Sequence, residues 1–151
     1  IIILSFMAKD FILFNNYISD LGVSEYAIVF NSAMVVSGMF ILPFALHTYK
    51  KDRYLGALYF SASTALAGVG IFTEASELHT TVSAAFFILA FVAILYAGLR
   101  NSKSDLGKLA IISGILGFAS LPVFNPLIET ADVFVIAAWF AVLAVKGNKL
   151  Y

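Results

Sequence analysis

Few side chains in this 151-residue chain can do chemistry, and the most suggestive sit in two short stretches. Asp20 stands in one; Glu74, Glu77 and His79 share the other. Carboxylates beside an imidazole can exchange protons or supply oxygen ligands to a divalent cation. Asn31, one turn into the long apolar segment that follows Glu25, adds a polar group on the same side. The candidate ligand-binding residues are therefore Asp20, Asn31, Glu74 and His79. If the site is catalytic, His79 is its base, and Asp20, Glu74 or Glu77 holds the cation. A plainer reading stands beside this one. Glu74 and Glu77 also oppose the positive end of the next helix dipole, with Thr73 or Ser76 as its cap. Ser24 with Glu25, and Asn125-Pro126 with Glu129, repeat that pattern.

Composition removes most other chemistry. The chain has no cysteine, which excludes disulfides, thiolate metal sites, iron–sulfur clusters and cysteine nucleophiles. Its two histidines, His47 and His79, fall at opposite ends of their segments, about a membrane thickness apart. They cannot share a haem, and a three-histidine zinc site is unavailable. His47, beside the basic run Lys50 to Arg53, reads as an interfacial side chain. Nine basic and nine acidic residues cancel, so the basic excess that nucleic-acid binding needs is missing. No cofactor is expected beyond a divalent cation at the acidic face.

These residues must be positioned by helices in a bilayer. The chain is 62% hydrophobic and 12% charged, with mean hydropathy +0.97, against about a quarter charged in soluble domains. Crossing the hydrocarbon takes roughly 20 apolar residues. Uncharged runs of 24, 20, 20 and 20 residues follow Glu25, Arg53, His79 and Lys108. A fifth segment starts at Pro126 behind the N-cap Asn125 and runs to about Gly147, with Lys146 and Lys149 snorkelling to the interface. Residues 1–8 are apolar, begin Ile-Ile-Ile-Leu without methionine, and read as the end of a sixth helix whose start is missing. Phe11 to Ser24 is expected to be a non-spanning surface stretch. The expected fold is all-α: a polytopic membrane bundle, one domain over 1–151, with six spans at about 1–9 (partial), 26–49, 54–73, 80–99, 108–124 and 126–147.

Sorting the charges by alternate loops gives an orientation. Lys50, Lys51, Arg53, Arg100, Lys103, Lys108, Lys146 and Lys149 share one side with Asp52 and Asp105, net +6. Lys9 is the lone base on the other, among seven acids, net −6. The positive-inside rule puts the basic side and both termini in the cytoplasm. No charge lies mid-span in the five well-defined segments, which argues against an ion-coupled transporter. Asn31, Ser32, Ser37, Ser61, Ser63, Thr64 and Ser113 read first as interhelical hydrogen-bonding groups. Small residues suggest helix contacts. Ala57, Ser61 and Ala65 would place the segment after Arg53 at the centre. Ala110 with Gly114, and Ser113 with Gly117, would seat the segment after Lys108 against it or against a second copy. The bulky run Phe86-Phe87-Ile88-Leu89 and Phe91 suggests a lipid-facing helix. Pro43 and Pro122 are expected to kink theirs.

The stretches Asn16-Tyr17-Ile18-Ser19-Asp20-Leu21-Gly22, Phe30-Asn31-Ser32-Ala33 and Gly68-Val69-Gly70-Ile71-Phe72-Thr73-Glu74, then Leu78-His79 and Ala85-Phe86-Phe87, resemble the prokaryotic membrane family called domain of unknown function 998. The likeness runs in order across most of the chain. It implies a small six-helix protein of the cytoplasmic membrane, draws attention to Asp20, Asn31, Glu74 and His79, and assigns them no role. Thr73 stands where members tend to have proline. Ile18-Ser19-Asp20 is also similar to eukaryotic Frag1 and DRAM membrane proteins, from which no function is taken. Two functional classes follow. One is a non-catalytic component, an accessory subunit or lipid- or small-ligand-binding bundle. Its partners would be membrane lipids, other membrane subunits or a second copy met through small-residue faces, and not nucleic acid. The other is a membrane enzyme or binding protein acting on a lipid headgroup or small polar ligand at the acidic face. The second requires Asp20 and His79 to lie within about 10 Å of each other beside a concave pocket.

Overall fold

Away from water each backbone N–H and C=O must be satisfied within its own segment, so uncharged runs of this length become helices. The computed structural model describes residues 2–146. It contains α1 (Ile2–Met7), a 3-10 helix (Ile18–Val23), α2 (Ala27–Tyr49), α3 (Arg53–Ile71), α4 (His79–Arg100), α5 (Asp105–Ser120), a 3-10 turn (Leu121–Val123) and α6 (Pro126–Lys146). Among the described residues there is no strand, only an isolated bridge between Leu13 and Asn16. Five segments are long and apolar enough to cross a membrane: α2, α3, α4, α5 with its 3-10 turn, and α6. The protein is an all-α membrane bundle. The expected continuation of the last span to Gly147, and Lys149, lie outside the described residues.

Side-chain caps start three of the helices. Asp52 accepts from the Tyr54 and Leu55 amides at 3.1 and 3.0 Å, Ser104 from the Gly107 amide at 2.9 Å, and Asn125 from the Ile128 amide at 3.1 Å ahead of Pro126. Such caps satisfy the amides that a helix start leaves open. Helix α2 continues through Pro43, whereas Pro122 falls in the 3-10 turn that closes α5. At the basic end, Asp52 also takes Arg100 Nε at 3.4 Å and the Tyr96 hydroxyl at 3.4 Å, tying the α2–α3 turn to the end of α4.

Packing corrects four expectations. Helix α4 is not lipid-facing. It lies between α3 and α5, and Phe86, Phe87, Ala90, Phe91, Ile94 and Ala97 are all buried. Its bulk is accommodated by glycines on α5: Gly117 leaves the hole that the Phe91 ring fills, and a Cβ on Gly114 would meet Leu95 Cβ at 2.7 Å. The small residues of α5 therefore serve α4, not α3. On α3 the buried face carries Leu55, Tyr59, Ala62, Ser63 and Val69; of the expected stripe Ala57 and Ser61 are exposed and only Ala65 packs against the core. The non-spanning stretch is not superficial. Ile18, Ser19, Leu21 and Gly22 are buried, and the 3-10 helix they form wedges between α2 and α6 with Phe30 and Met34 beneath it.

Candidate functional site

That wedge builds the acidic end. The 3-10 helix is held from below by α6, where the Ile18 amide donates to Glu129 Oε2, and from the side by the α3–α4 loop, where Ser19 Oγ donates to Glu74 Oε1 at 2.7 Å. Ile18 and Glu129 are 111 residues apart in sequence. Ser19 is only 8% exposed and Glu129 6%, and the Ser19 hydroxyl lies within reach of both carboxylates. Asp20 caps its own turn, accepting from the Tyr17 amide at 3.0 Å, and its carboxyl is a hydrogen-bonding neighbour of Glu74. Burial first, then the nearby Asp20 carboxylate, push the Glu74 carboxyl above the ordinary range, against the opposing pull of Ser19 and His79.

His79 opens α4. Its Nδ1 lies 2.7 Å from the Phe72 carbonyl oxygen, which only accepts, so Nδ1 carries the proton of that bond. In the neutral ring Nε2 is then the acceptor, and Ser83 Oγ sits 3.3 Å from it. Nε2 is also 4.0 Å from Glu74 Oε1. Asp20, Glu74 and His79 thus converge, with Glu74 between the other two. Glu77 is exposed and lines neither of the two cavities described below. Asn31 faces the protein: Nδ2 donates to Gly22 O at 2.9 Å, and Oδ1 is buried with no partner among the described residues. It anchors the 3-10 helix from α2 and does not line the cavities. Among the described residues no three His, Asp or Glu side chains form a group that could hold a metal ion.

Two cavities meet here. The one at the acidic end, about 430 Å³, sets the polar groups of Tyr17, Glu74, His79 and Thr80 in a wall that is otherwise mostly apolar and includes Phe124. The other, about 400 Å³, runs along the spans between α2 and α6, past Phe30, Met34, Leu66, Val133, Ile136 and Phe140. Ser19, Ser83, Phe87 and Glu129 line both. Helices α2 and α6 make little direct contact, and exposed Phe40 and Ala137 lie on the lip of the cavity between them. A family model for the protein of unknown function (DUF998) matches residues 1–146. The chain belongs to the DUF998 family. No curated protein and no solved structure matches it, and the likeness of Ile18-Ser19-Asp20 to Frag1 and DRAM proteins gains no support. Within this DUF998 chain, the stretches that carry the family resemblance supply Ser19, Asp20, Gly22, Asn31, Glu74 and His79, the residues that assemble the acidic end.

Sequence reasoning missed Ser19, Ser83 and the placement of Glu129. A serine in an apolar run looks like any interhelical hydrogen-bonding group, and Glu129 looks like a first-turn acid facing its own helix dipole. Only the long-range pairing of Glu129 with Ile18 reveals it. The one available signal was Ser83 four residues after His79, a spacing that puts both on one helix face.

Proposed function

We propose that this protein binds one amphiphile, with the polar head in the cavity beside Glu74 and His79 and the apolar chain in the adjoining cavity between α2 and α6. The observation that carries this reading is the shared wall of Ser19, Ser83, Phe87 and Glu129, which makes the two mostly apolar cavities one site with Glu74 and His79 gathered at one end. Ligand sites of several hundred cubic ångströms, mostly apolar with a few converging polar groups, suit a molecule of this kind. The charge arrangement supports placing the Glu74–His79 cavity at the outer face of a prokaryotic cytoplasmic membrane, with the basic loops inside and α1 counted as part of a sixth span.

A photoactivatable, clickable lipid tests the reading. In vesicles it is expected to label α2 and α6 of the wild type, and Ala137→Trp, which fills the lip, is expected to reduce labelling about tenfold, or ~1.4 kcal/mol. Labelling spread evenly over the lipid-facing helices, unaffected by Ala137→Trp, would refute a defined site.

A further inference from the structure

Where the two cavities join, a bound lipid would present the linkage between head and chain. In most membrane lipids that linkage is an acyl ester. Ser83 stands at this junction with His79 beside it in the cavity at the acidic end, and the Ser83 hydroxyl differs from four others within the helices. A serine or threonine within a helix ordinarily turns its hydroxyl to a carbonyl three or four residues back. Ser63 and Thr64 do so onto Phe60 O, Ser120 onto Gly117 O and Thr130 onto Pro126 O. Ser83 instead meets the imidazole at 3.3 Å. That imidazole is oriented from behind by the Phe72 carbonyl at 2.7 Å, just past the end of α3, and its side chain is 12% exposed. A hydroxyl in reach of a base, and a base fixed by a third group, is the arrangement that activates a serine nucleophile.

We infer that Ser83 is the nucleophile, and His79 its general base, for cleavage of the acyl ester of a lipid held in the joined cavities. The inference rests on the lipid-binding reading and adds a reaction to it. Ser83 Oγ bonds to the acyl carbonyl carbon as its proton passes to His79 Nε2. The ester bond breaks, and the departing alkoxide of the head takes that proton and leaves as an alcohol. Water then adds to the acyl-serine, giving its proton to Nε2. The carbon–Oγ bond breaks, Ser83 Oγ recovers a proton from Nε2, and the fatty acid leaves. In sum, ester and water give acid and alcohol, with no change of oxidation state. Tyr17 and Thr80 line the same cavity as His79 and add hydroxyl donors to its wall.

Ser19 is the competing nucleophile, since it lines both cavities too, but its proton is directed to Glu74 and not to an imidazole. The test uses the full chain in phosphatidylcholine vesicles treated with a long-chain alkyl fluorophosphonate, read by intact mass and peptide mapping. The expected result is one adduct, on Ser83. His79→Gln should slow its formation at least about 100-fold. His79→Asn, whose amide can still donate to the Phe72 carbonyl, should slow it as much. Ser83→Ala should form no adduct, and an adduct on another residue of that variant would place the nucleophile elsewhere. An adduct on Ser19, a rate indifferent to both His79 variants, or no adduct in a wild type that still binds the photoactivatable lipid overturns the catalytic assignment and leaves lipid binding intact. Loss of both signals in the wild type overturns both readings.

Discussion

His79 has both ring nitrogens engaged, and the residue beside it that responds most to its surroundings is Glu74. The Glu74 side chain is 30% exposed, yet burial and Asp20 raise its pKa above the ordinary value of 4.5. The fold therefore favours the protonated carboxyl. The stability this gives is full below the unfolded value near 4.5 and is lost as pH rises through the higher folded value. The apparent melting midpoint of the purified protein is expected to fall across that window. Glu74→Gln, which keeps an uncharged group there, should flatten the decline; an unchanged slope would show that Glu74 is not its source. Asp20, Glu74 and His79 were legible as candidates because charge and imidazole are scarce in this chain, and scarcity draws attention. Ser19 and Ser83 were not, because a hydroxyl declares its role only through the group it faces. Asn31 was legible as unusual, but its use as a tether to Gly22 was not.

Helices were easier to read than their neighbours. Runs free of charge announce five spans because hydrocarbon tolerates so few other patterns. The packing faces are another matter: lipid and protein interior are equally apolar, so a membrane helix carries little contrast between its buried and exposed sides. The aromatic run of α4 looked lipid-facing for that reason. Within it Phe91 packs on Gly117 of α5, a fit of large against small that neither segment reveals alone, while Phe86 and Phe87 turn to the cavities. This contact gives a sharp expectation. Gly117→Val puts branched carbon where the Phe91 ring lies and should cost about 1–3 kcal/mol by overpacking. Leu116→Ala, one residue away but 63% exposed, should move the melting midpoint far less. Equal effects in a thermal scan in detergent would mean that α5 does not pack through this face.

For the whole molecule, fold class was visible in composition, and the loop charges offered an expected orientation. What composition could not convey is that the acidic end is closed by an inserted segment, since buried Ile18 is held by a helix 111 residues later. A reporter fused after Tyr151 is expected to be protected from an impermeant reagent added outside intact cells, as the charge distribution requires. Labelling from outside would reverse the bundle and put the Glu74–His79 cavity in the cytoplasm.

The sparse contact between α2 and α6 carries a consequence for how such a site would be filled. A chain slipping in sideways past Phe40 and Ala137 never passes through water, so occupancy would follow the ligand's mole fraction among its neighbours and not its amount per litre. Diluting the vesicles in buffer should then leave the bound fraction unchanged, whereas diluting the ligand with inert lipid should empty the site in proportion.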